Sequence, residues 1–86
     1  NKGVKLWPNP AAQTNLVYLQ LKLNKPINGT MMVVDISGKT AMVQKVSLVS
    51  GANTLPINIS KLSNGIYTVV LMGEDGSRSQ LNFIKE

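Results

Sequence analysis

Leu62-Ser63-Asn64-Gly65-Ile66-Tyr67-Thr68-Val69 decides the fold class of this 86-residue chain. Asn64-Gly65 is a turn dipeptide, because glycine takes positive φ without a Cβ penalty and asparagine tolerates it. Beyond it the pattern has a period of two, with Tyr67, Val69 and Leu71 against Thr68 and the less polar Val70. Alternation of that kind builds a strand with one buried face. A glycine two residues ahead of a strand-opening tyrosine is the pattern of the tyrosine corner in β-sandwiches, where the phenol bonds back to upstream backbone. Tyr67 is therefore expected to be a structural latch, with Leu62 tucked beneath it.

Working outward, the same period recurs. Val17, Leu19, Leu21 and Leu23 alternate with Tyr18, Gln20 and Lys22, and Leu55, Ile57 and Ile59 with Pro56, Asn58 and Ser60. Thr30 to Ile36 is apolar on both faces until Asp35, as suits a central strand. Leu81 and Phe83 alternate with Gln80 and Asn82. Asn28-Gly29, Ser37-Gly38, Ser50-Gly51, Asn64-Gly65 and Asp75-Gly76 punctuate these runs as turns. The pattern predicts strands at 4–7, 15–23, 30–36, 41–48, 52–59, 65–72 and 77–84. Seven short strands in one unit, 1–86, predict an all-β, antiparallel, immunoglobulin-like β-sandwich. Pro8, Pro10 and Pro26 fall in loops, whereas Pro56 marks its strand as an edge or an irregular one.

Composition narrows the function. The chain has no histidine and no cysteine, and its four acids, Asp35, Glu74, Asp75 and Glu86, are mostly far apart. No nucleophile–histidine arrangement, cysteine–histidine zinc site or disulfide can be assembled, so neither an enzyme nor a cofactor is expected. The formal charge of +5 comes from eight scattered lysines and Arg78. Without arginine forks or stacked aromatics this reads as a solvated surface, with no nucleic acid as partner. No apolar run has the length of a membrane helix, and Asn1-Lys2-Gly3 is too polar to open a signal peptide.

Three further segments stand out. In Leu6-Trp7-Pro8-Asn9-Pro10 each proline fixes its own φ and holds the preceding residue extended, which makes a stiff corner leaving the first strand. In Asp35-Ile36-Ser37-Gly38-Lys39 the Asp35 and Ser37 side chains can cap a tight turn with Gly38 in the left-handed position. A lone carboxylate there supports neither paired acid–base chemistry nor a calcium site. The run from Ser77 to Glu86 reads as a terminal edge strand tied down by Leu81 and Phe83. Such an edge could also pair between two copies as a homodimer.

Taken in order, these segments resemble the C-terminal sorting domain of type IX (Por) secretion cargo in Bacteroidetes. The matching residues are Trp7-Pro8-Asn9-Pro10, then Asp35-Ile36-Ser37-Gly38-Lys39, then Leu62-Ser63-Asn64-Gly65-Ile66-Tyr67, then Phe83-Ile84-Lys85. Trp7 stands where the family usually has tyrosine, and Glu86 follows Lys85 where the family usually ends on lysine or glutamine. The resemblance implies a sandwich at the end of a larger secreted protein, carrying its cargo from the periplasm across the outer membrane to the cell surface or medium. Its implied partners are the translocon and shuttle proteins of the outer membrane, a sortase-like peptidase that removes the domain, and the protein's own N-terminal cargo. Cleavage is expected at or just before residues 1–5, and the leader peptide at the far end of a longer precursor. The strand from Leu81 to Glu86 is expected to dock onto the machinery by strand addition. The alternative reading is an immunoglobulin-like carbohydrate- or protein-binding module of a secreted enzyme or adhesin, with Trp7 and Tyr18 as its exposed aromatics.

Overall fold

The computed structural model describes residues 4–9, 11 and 15–86. Seven strands run in order: β1 (Val4–Trp7), β2 (Leu16–Leu23), β3 (Ile27–Asp35), β4 (Thr40–Leu48), β5 (Gly51–Asn58), β6 (Gly65–Gly73) and β7 (Arg78–Lys85). They form a three-stranded sheet, β1-β2-β5, and a four-stranded sheet, β4-β3-β6-β7, with every pairing antiparallel. The three crossings between sheets, β2 to β3, β4 to β5 and β5 to β6, give the immunoglobulin-like sandwich that the strand count predicts.

The core follows the alternation. Val17, Leu19 and Leu21 of β2 and Ile57 of β5 face Met31 and Val33 of β3, Tyr67, Val69 and Leu71 of β6, and Phe83 of β7. Phe83, Met31, Ile57, Val17 and Val33 are wholly removed from solvent. Each such side chain contributes about 1.5–3 kcal/mol by leaving water. Ile59, expected to end the fifth strand, lies just past β5 and is equally buried. Pro56 sits on β5, an edge strand, where its missing N–H interrupts no second ladder.

One turn assignment is corrected. Asn28-Gly29 is not a turn but part of β3, which begins at Ile27 rather than Thr30, and the connection from β2 is Asn24-Lys25-Pro26. Gly29 lies between Val46 of β4 and Gly73 of β6. A Cβ there would collide with the Met72 carbonyl oxygen. The glycine therefore serves a close approach of two backbones, not a reversal of the chain. The other strand boundaries agree with expectation to within one residue.

Candidate functional site

The sequence segments of interest gather along β7. The corner after β1 takes the chain out of the three-stranded sheet and across to the four-stranded one. The Trp7–Pro8 peptide is cis. Asn9 then places its side-chain amide beside β7: Nδ2 donates to the Asn82 carbonyl at 3.1 Å, and Oδ1 accepts from the Ile84 N–H at 3.2 Å. The amide thus imitates a strand backbone. Ala11, fully buried, continues the imitation with real backbone. Its N–H donates to the Ile84 carbonyl at 2.7 Å and its carbonyl accepts from the Glu86 N–H at 3.2 Å, a parallel bridge opposite Lys85. Pro10, a sequence-predicted site residue, lies outside the described residues.

The outer edge of Leu81–Glu86, expected to dock by strand addition, is thus already occupied within the chain. One edge of β7 pairs with β6, and on its other edge the Asn82 carbonyl, both polar groups of the Ile84 backbone and the Glu86 N–H are engaged by Asn9 and Ala11. Backbone groups already bonded cannot recruit another strand without first giving those bonds up. An edge-strand homodimer through 82–86 would have to displace the same bonds.

The side chains of β7 divide by face. Phe83 is buried and stacks on Tyr67, ring centroids 5.4 Å apart with planes 20° from parallel. Tyr67 donates its phenol to the Ser63 carbonyl at 2.6 Å, the latch expected from Gly65-Ile66-Tyr67. Leu62 packs half-buried against the core. Lys85, on the same face as Phe83, turns its ammonium onto the end of the sandwich. It donates to the Ile59 carbonyl at 2.7 Å and to the Leu62 carbonyl. These charge-assisted bonds close the turn in which the Leu62 N–H meets the Ile59 carbonyl. Ile84 points outward and is 44% exposed. Sequence reading missed Ala11, Ile59, Ser63 and Asn82 as partners. For Lys85 a signal existed: it shares the parity of Leu81 and Phe83 and so must face inward.

The remaining segment, Asp35 to Lys39, is the β3–β4 hairpin turn. Asp35 Oδ1 accepts from the Ser37 N–H at 3.0 Å, the Ser37 hydroxyl at 2.6 Å and the Lys39 N–H at 3.0 Å. Gly38 takes φ 89°. The Ser37 hydroxyl first, and then the Lys39 N–H, hold the Asp35 carboxyl below its ordinary range. Asp35 and Lys39 share an open depression with Tyr67 and Ser63, beside the end that Lys85 closes. Trp7 and Tyr18 meet on the outside of the three-stranded sheet, with centroids 4.5 Å apart and planes tilted by 30°. Each covers part of its neighbour's ring, so they form a ridge rather than a flat aromatic platform.

A family model described as the secretion system C-terminal sorting domain matches residues 5–86. Comparison with curated protein sequences finds no match. The matched span contains all seven strands but for Val4, and every segment that gathers around β7. The chain therefore belongs to the family of secretion system C-terminal sorting domains, the signals that direct proteins through type IX secretion to the cell surface or medium.

Proposed function

We propose that the type IX machinery reads this domain as a folded end of the sandwich, not as a peptide tail. The convergence on β7 carries the reading: Asn9, Tyr67 and Lys85, from three separate segments, all bond to backbone or stack within that one end. What β7 offers a receptor is then its outward side chains, Ile84 and Glu86, held in place by the Asn9–Ala11 strap. In this reading the domain is the terminal part of a larger secreted protein, crosses the periplasm with its cargo, and meets shuttle and translocon proteins of the outer membrane. It has no catalytic role of its own. A sortase-like peptidase then releases it. Val4 and Lys5 are paired with Leu21 and Gln20, so a cut beyond Val4 would break that ladder, and cleavage falls before Val4.

The test fuses a periplasmic leader and a fluorescent reporter to residues 1–86, or to residues 78–86 alone, in a host with the type IX machinery. Surface fluorescence is expected from the first fusion and not the second. Display of the short fusion would overturn the folded-end reading. Mass spectrometry of the released reporter would locate the cut, and a site inside β2 or later would overturn the cleavage proposal.

A further inference from the structure

The outer face of the four-stranded sheet is unusually apolar for a surface. Its residues fall into rows across the strands, set by the register. Thr30, Met72 and Arg78 lie in one row with Lys45. Met32, Val70 and Gln80 form the next with Val43, then Val34, Thr68 and Asn82, and finally Ile66 and Ile84 beside Ile36. Val43 is 63% exposed, Ile36 80%, Ile66 47% and Ile84 44%. Val70 is only 5% exposed although it lies on this face and outside the core cluster. Past Ile84, alternation puts Glu86 on the same face. One end of the face is therefore cationic, the middle apolar, and the far end of β7 acidic.

That polarity selects an occupant. We propose that this face binds a second copy of the chain through a two-fold axis crossing the strands at the row of Val34, Thr68 and Asn82. Such an axis lays β7 antiparallel on β7 of the second copy. Arg78 of one copy then meets Glu86 of the other, twice by symmetry. Met32 and Val70 of one copy meet Ile36 and Ile66 of the other, apolar on apolar, while Gln80 lies against Ile84 at the edge of the face. The other face-to-face arrangement, with the axis along the strands, sets Arg78 against Lys45 and is repelled. Four strands about 4.8 Å apart over some eight residues present about 500 Å² per copy, so the pair buries about 1,000 Å². That is near the lower bound for a specific interface and marks a weak, reversible dimer. The charge of +5 on each copy opposes tighter association.

Sedimentation equilibrium of the 86-residue chain between about 10 µM and about 1 mM tests this, the range a small interface allows. A monomer–dimer equilibrium is expected. Val34→Lys places two ammonium groups together at the axis and should leave a monomer with an unchanged circular dichroism spectrum. Arg78→Glu and Glu86→Arg should each raise the dissociation constant about tenfold by turning both pairs repulsive. An equimolar mixture of these two variants should recover dimer, because each heterodimer restores both pairs. A chain monomeric throughout, a dimer that survives Val34→Lys, or a mixture no better than its components would each overturn the proposal. So would a monomer that binds anionic phosphatidylglycerol vesicles through this face, which would assign the face to lipid. Ile84 and Glu86 belong to both surfaces, but the two readings fail separately: a chain that stays monomeric overturns the dimer alone, whereas the sorting reading is decided by surface display of the reporter fusion.

Discussion

The end of the sandwich around β7 and the hairpin turn at Asp35 both hold family-like residues, but they are built differently. In the turn every bond spans two to four residues, from Asp35 to Ser37 and Lys39. Around β7 the Asn9 bonds span 73 and 75 residues and the Lys85 bonds 26 and 23. A local turn can form whenever its own few residues allow, whereas the β7 end exists only when the whole chain is folded. A second turn makes the point sharper. Asp75 in the β6–β7 hairpin accepts from the Ser77 N–H at 3.0 Å and its hydroxyl at 2.6 Å, although no resemblance singles it out. The Asp35 pattern is thus a local turn device used twice in this chain, while the Asn9–Lys85 assembly depends on its tertiary fold.

The largest expected effect comes from emptying the assembled end. Phe83→Ala removes a wholly buried ring and its stack on Tyr67, and should cost about 3–5 kcal/mol in urea denaturation, most of the stability of a domain this size. A loss no larger than that of an exposed alanine substitution would break the distinction between the two regions. Lys85→Met keeps the aliphatic stem but leaves the Ile59 and Leu62 carbonyls without their donor, for a loss of about 1–3 kcal/mol. It should also abolish surface display, since the end that the machinery reads is opened.

Asn9→Ala should cost about 1 kcal/mol, because solvent can replace the lost bonds on an exposed edge. The informative readout is hydrogen exchange: the Ile84 amide should exchange faster while amides in β3 stay protected. Equal protection in the variant would show that the strap does not hold β7. Tyr67→Phe deletes only the bond to the Ser63 carbonyl and should lower stability by about 1 kcal/mol, with the stack on Phe83 intact.

The smallest effect belongs to the turns and appears as a pH dependence. Asp35 is held below its ordinary value of 3.8 by the Ser37 hydroxyl and the Lys39 N–H, and Asp75 likewise, first by the Ser77 hydroxyl. A carboxylate whose folded pKa is depressed contributes stability above its unfolded value, and that contribution is lost as pH falls through the folded one. Thermal denaturation should therefore show stability declining as the pH drops below about 4, and Asp35→Asn with Asp75→Asn should flatten that slope. A slope unchanged in the double variant would mean other carboxylates set it.

Much of this was legible in the chain itself. Alternation at Val17–Leu23, Leu55–Ile59 and Tyr67–Leu71 located the strands and the core, because a residue's face depends only on its parity within a strand. Gly65-Ile66-Tyr67 announced the tyrosine latch, and Asp35-Ser37-Gly38 its turn, because both act over a few residues. The failures share a cause. Asn28-Gly29 looks like a turn by composition, and only the neighbouring strand β6 shows why glycine is needed there. Asn9 looked like part of a corner, and the terminal strand looked like a free edge. Nothing within either segment says that each satisfies the other across more than seventy residues.

Sequence alone determined which residues are strands, which face of each is apolar and which dipeptides turn, since those follow from backbone sterics and from burial with a period of two. Tertiary structure alone decided that the last strand is strapped, that Lys85 seals the end of the sandwich and that the outer face of the larger sheet runs from cationic to acidic. Hydrogen bonds and charges act between groups brought together in space, and their pairing is set by how two sheets stack, which no local pattern encodes.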